Sequence, residues 1–488
     1  MAELKSKSSE NGSQERIDAL CEELEAFKTF LVEVKKDESI WMNGFKKVHT
    51  QLKTAKNSPE GDFIHNESLW LVAKTCTAIT SLRHYFEMYP RNEMKLRKNR
   101  EEIRTSTTIV DIVCENGSEW VRVINMTAKR AMWEFVNAGY GAVYSDSEED
   151  EDDEDDFDDP TGLVAQAKCL LQASKLVLHR GKHPRIRFVL PRFHMDEVKA
   201  LNLGDARLIT RAFDRLRALG IIIETSGPSP PYSPSIGDVL HSMTSPDLST
   251  VTSTLNIDTT ILLAMVSDIS HGTVDVEEWH HDFVKAQIER EQHVKLLPSH
   301  VWPICGSRKL ICAREAFDMM HTITKNIGTD TEKARATLLF NSPTTELTQE
   351  ERLVRIQKLS EYDVPKGWSL PIDIVNVDLP GMLAQLPAAT KTQVFDACSR
   401  SHGQPVTKDV PVNASVFLYG WVHNFTTLTS NDEMRKVIAD IILRKDDQEG
   451  PDIWSLTCPR SLVGKEKNAH VKDGYGQQVM RPISVRTK

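Results

Sequence analysis

No stretch of this 488-residue chain reaches eighteen uninterrupted apolar residues, so no membrane-spanning helix is expected. The eight cysteines are scattered and none falls in a Cys-x-x-Cys pair, which argues against a zinc ribbon or a dithiol redox motif and suits a reducing compartment. There is no Gly-x-Ser-x-Gly elbow, and neither a Walker A loop nor a Gly-x-Gly-x-x-Gly turn after a strand. Serine-hydrolase and nucleotide-dependent chemistry are therefore not expected. The opening "MAELKSKSSENGSQERID" has no apolar core of a secretory leader, and residues 1–14 read as a disordered tail. The expected location is intracellular, cytoplasmic or nuclear or both, with no membrane partner.

The chain also lacks a basic bias. Its net charge is −10, but 12 of the residues between Asp146 and Asp159 are acids, so the remainder carries +2. A nucleic-acid binder is usually clearly basic, and charge alone does not point to one here. The acidic run cannot bury a core and repels itself, so 145–160 is expected to be a disordered loop. Ser145 and Ser147 each have an acid three residues on, which makes them phosphorylation candidates.

Roughly two to four domains fit this length. Ile17, Leu20, Leu24, Phe27, Leu31 and Val34 recur in steps of three and four, which predicts a helix with one buried stripe. "TTIVDIVCENGSEWVRVINM" predicts a hairpin over Thr107–Met126, because Asn116-Gly117 supplies positive φ angles. "RIRFVLP", "GDARLITRAFDRLRALG" and "IIIETS" read as strand, helix and strand, a βαβ unit with parallel strands. Arg207, Arg211 and Arg215 share one face of that helix and read as a solvated stripe. Residues 15–144 are thus N-terminal helices and a hairpin, and 161–226 continue the same α/β domain. "SGPSPPYSPSIGD" breaks structure, which makes 227–250 a linker.

"STLNIDTTILLAMVS" has β-branched residues leading in and helix formers leading out. Asp258 then stands where a strand passes into a helix, at the carboxyl edge of an α/β sheet, where ligands collect. It is either a helix cap or one carboxylate of a Mg²⁺ or Mn²⁺ site, which needs further acids. Thr259 and Thr260 are candidates for phosphate contact at the helix N-terminus, although capping explains them equally well. His280, His281, Asp282 and His293 are unpromising as a metal site, since adjacent helical residues point about 100° apart.

"NIDTTILLAMVSDISHG" resembles the first strand and helix of PIN-like nuclease domains. With "STTIVDIVCENGSEWVRVI", "KLICAREAFDMMHTITKNIGTDTEKARATLL" and "VNASVFLYGWVHNFTTLT", the chain resembles an uncharacterised eukaryotic family of the UPF type. It is the family of the human chromosome seven open reading frame twenty-five protein. The resemblance implies a mixed α/β protein. An N-terminal helical region with a small α/β domain precedes a PIN-like three-layer α/β/α domain with a parallel sheet, over 251–446, and 447–488 form a loose tail. In active PIN-like domains, three or four acids hold Mg²⁺ or Mn²⁺ for RNA hydrolysis. Asp258 matches the first acid. The second slot falls on Arg314 in "CAREAF", with Glu315 one step later, and the third on Thr390 or Lys391 in "LPAATKTQVFDACSRSHG". A cation in such a pocket repels the ion. The implied protein is therefore PIN-like with a degraded metal site, binding RNA or a protein partner rather than acting as an efficient catalyst, with no cofactor. Two alternatives remain. One is a Mg/Mn-dependent ribonuclease using Asp258, Glu315 and Asp396 or Asp378, with Asp373 a further candidate. The other is an adaptor working through the acidic loop and N-terminal helices.

Overall fold

The computed structural model describes residues 2–34, 36–54, 60–90, 106–135, 162–200, 203–226, 233–341, 346–400, 410–444, 449–456 and 459–464. Ser145, Ser147 and the acidic run lie outside the described residues. The chain is a mixed α/β protein that divides into two compact units. The first is built from residues 1–179 and 183–247, the second from 180–182 and 248–488.

In the first unit the N-terminal helices α1 (Ala2–Glu33), α2 (Lys46–Thr54) and α3 (Glu60–Ala73) precede β1 (Ser81–Glu87), β2 (Thr107–Cys114) and β3 (Glu119–Val123). Then come α4 (Ala128–Phe135), α5 (Leu163–Ser174), β4 (Arg185–His194), α6 (Leu203–Ala218), β5 (Ile222–Ser226) and α7 (Ile236–Thr244). The strands form one sheet in the order β1-β2-β3-β4-β5. The two pairings around β2 are antiparallel, and β3·β4 and β4·β5 are parallel.

Strand side chains alternate between two faces. Ile112, Val121 and Val189 join the core that includes Leu24, Phe27 and Trp70, while Val113, Trp120 and Phe188 join the core that includes Leu170 and Phe213. Helices thus cover both faces. The α1 stripe is buried from Ile17 to Leu31, with Phe27 packed 5.0 Å from the Phe45 ring centre, but Val34, expected to continue it, lies past the helix end and is exposed. The hairpin forms with Asn116 and Gly117 at φ 60° and 109°, but the turn takes four residues, and Cys114 pairs with Glu119. The βαβ unit is β4–α6–β5, and Arg207, Arg211 and Arg215 are exposed along α6.

The second unit runs β6 (Thr254–Ile257), α8 (Thr259–Val266), α9 (Asp282–His293), β7 (Lys309–Ala313), α10 (Arg314–Ile327), α11 (Asp330–Leu339) and α12 (Gln349–Gln357). It continues with β8 (Asp373–Val375), α13 (Leu379–Gln385), α14 (Lys391–Ser399), α15 (Val412–Val422), β9 (Thr426–Thr429), α16 (Asp432–Leu443) and β10 (Ile453–Ser455). All its strand pairings are parallel, in the order β10-β9-β6-β7-β8. The chain builds outward from β6 to β8, then crosses back to add β9 and β10 on the other side of β6. The gap between the β6 and β9 carboxyl ends is therefore a topological switch point.

β9 reads Thr-Thr-Leu-Thr and is wholly buried. Its hydroxyls are accommodated by neighbours: Thr426 Oγ1 donates to Asp452 Oδ2 at 2.6 Å, and Thr427 Oγ1 accepts from Asn256 Nδ2 at 3.1 Å. Gly420 of α15 packs directly on this pair, so that a methyl there would land on Thr427 Oγ1.

Three expected boundaries are corrected. The helix α1 already begins at Ala2, within the stretch read as a tail. The stretch 227–250 is not linker throughout, because Ile236, Val239, Leu240 and Met243 make α7 amphipathic and pack it on the α1 core. The stretch 447–488 is not uniformly loose: β10 pairs with β9, Leu456 and Leu462 enter the core, and the buried Arg460 guanidinium donates from Nε to Glu291 Oε2 at 2.7 Å.

Gly420→Ala should lower stability to denaturant by about 1–3 kcal/mol through overpacking against Thr427. An unchanged unfolding midpoint would show that β9 and α15 are not packed this closely.

Candidate functional site

Ile257 is the last buried strand residue of β6, and Asp258 follows as the residue before α8, in extended conformation. The Asp258 side chain makes no regular N-capping hydrogen bond, so it is not the simple cap considered from sequence. Instead Thr260 Oγ1 donates to its Oδ2 at 2.7 Å and Thr429 Oγ1, from the end of β9, donates to the same oxygen at 2.6 Å. The hydroxyls are themselves held: the Ser430 amide donates to Thr260 Oγ1 at 2.9 Å, and the Asn431 amide to Thr429 Oγ1 at 2.8 Å. A ring of hydrogen bonds therefore stitches the two strand ends together across the switch point.

Asp258 is only 2 % exposed, and among the described residues no lysine, arginine or histidine pairs with it. Burial pushes its carboxyl above the usual aspartate range, against the pull of the Thr429 and Thr260 hydroxyls and of the Thr259 and Thr260 amides. A buried carboxyl with donors but no countercharge has two chemical options. It holds a proton, or it is ready to take a cation.

Thr259 and Thr260 do not present their hydroxyls as phosphate contacts. Thr259 is buried and its Oγ1 donates to Ala316 O at 3.5 Å, while Thr260 is engaged with Asp258. The Thr259 contact does place the start of α8 beside the start of α10, where Glu315 stands. Glu315 Oε2 is buried with no hydrogen-bond partner among the described residues. Asp258 and Glu315 thus belong to neighbouring strand ends.

The other candidates are not brought to this pair as ligands. Asp378 is exposed, and its Oδ1 caps α13 by accepting from the Gly381 amide at 3.3 Å. Asp396 is exposed within α14, and Asp373 pairs with Lys309 Nζ at 3.0 Å. Arg314 turns toward β8, donating from Nε to Asn376 Oδ1 at 3.4 Å. Thr390 is buried just before α14. His281 caps α9 through its Nδ1, and His280 Nδ1 accepts from the Glu277 amide at 3.0 Å, so the histidine pair serves the loop. Among the described residues no group of three or more His, Cys, Asp and Glu is arranged to hold a metal ion.

Two residues escaped sequence reading. Thr429 lies in a run of threonines that hides the strand. Asp432 opens α16 after β9, much as Asp258 precedes α8 after β6. Burial works to raise the Asp432 carboxyl, but bonds from Lys436 and Arg435 prevail and hold it below the ordinary range. The repeated pattern of β-branched residues followed by an acid, in "NIDTT" and "TTLTSND", was the available signal.

The second unit is thus an open parallel α/β sheet with helices, carrying a polar switch point. A family model described as "Protein of unknown function (DUF1308)" matches residues 255–363, from β6 past α12 and well under half the chain. The Asp258 and Glu315 positions both lie inside the match, and Thr429 lies outside it. No curated protein and no solved structure matches the chain. Among the described residues no helix is long and apolar enough to cross a membrane.

Because the Asp258 pKa is raised in the fold, ionisation opposes folding. Stability falls as pH rises from the unfolded aspartate range near about 4 through the higher folded pKa. Asp258→Asn removes this dependence while keeping the shape. In metal-free buffer the variant should gain on the natural chain as pH climbs to neutrality, by chemical denaturation. A gap that is constant with pH, or a variant weakest at pH 7, would contradict the raised pKa.

Proposed function

We propose that the second unit is a PIN-like domain whose metal site is degraded, and that the protein works by binding RNA rather than by efficient catalysis. The reading rests on the resemblance of "NIDTTILLAMVSDISHG" to PIN-like domains and on the strand order that sets Asp258 at the switch point. The observation that carries it is the engagement of Asp258. Its Oδ2 is occupied by two hydroxyl donors. Of the other acids, Asp378 caps its own helix and Asp396 is exposed on α14. A hard divalent ion needs several oxygens, and this edge offers few. Kinship with the family of the human chromosome seven open reading frame twenty-five protein belongs to the same proposal, as does a protein in place of RNA as the partner; an adaptor working through the acidic loop and N-terminal helices is a separate reading.

One observation favours a second reading, a Mg²⁺- or Mn²⁺-dependent ribonuclease. Among the described residues Asp258 has no countercharge, and Glu315 Oε2, without a hydrogen-bond partner there, stands at the neighbouring strand end. Magnesium often takes only one or two carboxylates, completing its shell with water and substrate phosphate. The residues fit such an ion only in part. If bound, it would supply Lewis-acid activation of water toward a phosphodiester. The chain's own contribution is to hold Asp258 rigidly through Thr260 and Thr429.

A single-stranded RNA cleavage assay with Mn²⁺ separates the two, run beside fluorescence anisotropy of the same RNA. Under the binding reading, the natural chain and Asp258→Ala cleave at equal, near-zero rates while the natural chain still binds the RNA. Cleavage by the natural chain that falls a hundredfold or more in Asp258→Ala establishes the nuclease instead. Absence of both cleavage and binding defeats the RNA assignment.

A further inference from the structure

We propose that a cavity in the first unit, outside the carboxyl end of β3, binds a small phosphate ester of the size of a sugar phosphate. The cavity holds about 550 Å³, within the range of small-molecule sites. It lies between the segment that leaves β3 and the starts of α4 and α5, and all its lining residues belong to this unit. No residue assigned above to RNA binding takes part.

Arg122 is the main recognition group. Its Nη1 donates to both oxygens of Asp111 at 3.0 Å and its Nε to Gln166 Oε1 at 3.2 Å. Asp111 is only 1 % exposed and also accepts the Val123 amide at 2.8 Å, so it fixes the guanidinium from behind. The second terminal nitrogen, Nη2, makes no hydrogen bond among the described residues. With Nε and Nη1 fixed in place, Nη2 is left among the described residues as a pre-positioned, charged donor for one phosphate oxygen.

The same wall offers further donors. The helix α5 begins at Gly162, which lines the cavity and supplies no side-chain cap, and its first turn contains no acid. The amides that start this helix of twelve residues therefore lack a side-chain partner from the cap position. Arg130 stands at the rim and pairs with Glu134 at 3.0 Å. With Arg122 opposed by Asp111 and Arg130 by Glu134, the wall attracts an anion through directed donors rather than through net charge.

The volume narrows the ligand class. A cavity of about 550 Å³ is far larger than an inorganic phosphate fills, so the phosphate is carried on a body of about sugar size. Asn125 also lines the cavity, but its Oδ1 has no accessible surface and is not open to the ligand.

Isothermal titration calorimetry on the full chain tests this with ribose 5-phosphate, ribose and inorganic phosphate. Ribose 5-phosphate should bind at least about tenfold more tightly than either fragment. Arg122→Met should weaken it at least about tenfold, as loss of a charged hydrogen bond requires. Because Arg122→Met strips the partner from buried Asp111 and can disturb the fold, Gly162→Asp is the second variant. It supplies a good helix cap, so the fold is preserved, while its carboxylate occupies the amides and repels phosphate. It should also weaken binding at least about tenfold with an unchanged melting temperature or a higher one. No binding of ribose 5-phosphate by the natural chain, or undiminished binding by Gly162→Asp, overturns the site. Ribose bound as tightly as its phosphate overturns the anion assignment. Inorganic phosphate bound as tightly overturns the role of the organic body.

Discussion

A central strand that is buried on every side yet rich in threonine can exist only if each hydroxyl finds a partner. This constraint organises the second unit. β9 lies between β6 and β10, and its three threonines reach Asp452, Asn256 and Asp258. Arg180 closes the Asp452 end, donating from Nε to its Oδ1 at 2.6 Å. An unmade hydrogen bond in such a place costs about 1–3 kcal/mol, so the network specifies register as much as it adds stability. The polar switch point is the carboxyl end of that same network.

The two units handle a buried aspartate in opposite ways. Asp111, on β2 of the first unit, has Arg122 as a countercharge and a backbone amide as a further donor. Its charge is compensated and it acts by orienting an arginine. Asp258, on the second unit, receives only neutral donors, and burial raises its pKa. The first arrangement fixes a guanidinium whose Nη2 makes no hydrogen bond among the described residues. The second leaves a carboxyl that no cation among the described residues balances, and whose neighbours are hydroxyls.

The strand-to-helix joint at Asp258, the α1 stripe, the Asn-Gly turn and the βαβ unit were all legible, because each is governed by local periodicity or by a positive φ angle. The partner of Asp258 was not. Thr429 lies 171 residues away in sequence and meets Asp258 only because the chain crosses back over β6. Asp378 and Asp396 looked like ligands in a linear comparison, but Asp378 caps its own helix and Asp396 is exposed on α14. The helix α7 was masked by the proline and serine before it, and β10 by its shortness at the edge of a polar tail. Arg460 looked like a tail residue, and its burial against Glu291 depends on contacts no local pattern reveals.

The central claim is that Asp258 sits in the fold as a buried carboxyl with no countercharge among the described residues. Carbon-13 NMR of the chain labelled at aspartate carboxyls, with Asp258→Asn used to assign the resonance, measures its titration directly in metal-free buffer. A midpoint well above that of ordinary aspartates is the expected result. A midpoint at or below the ordinary range would mean that the anion is balanced by something other than the ring of threonines, and the interpretation of the switch point would fail.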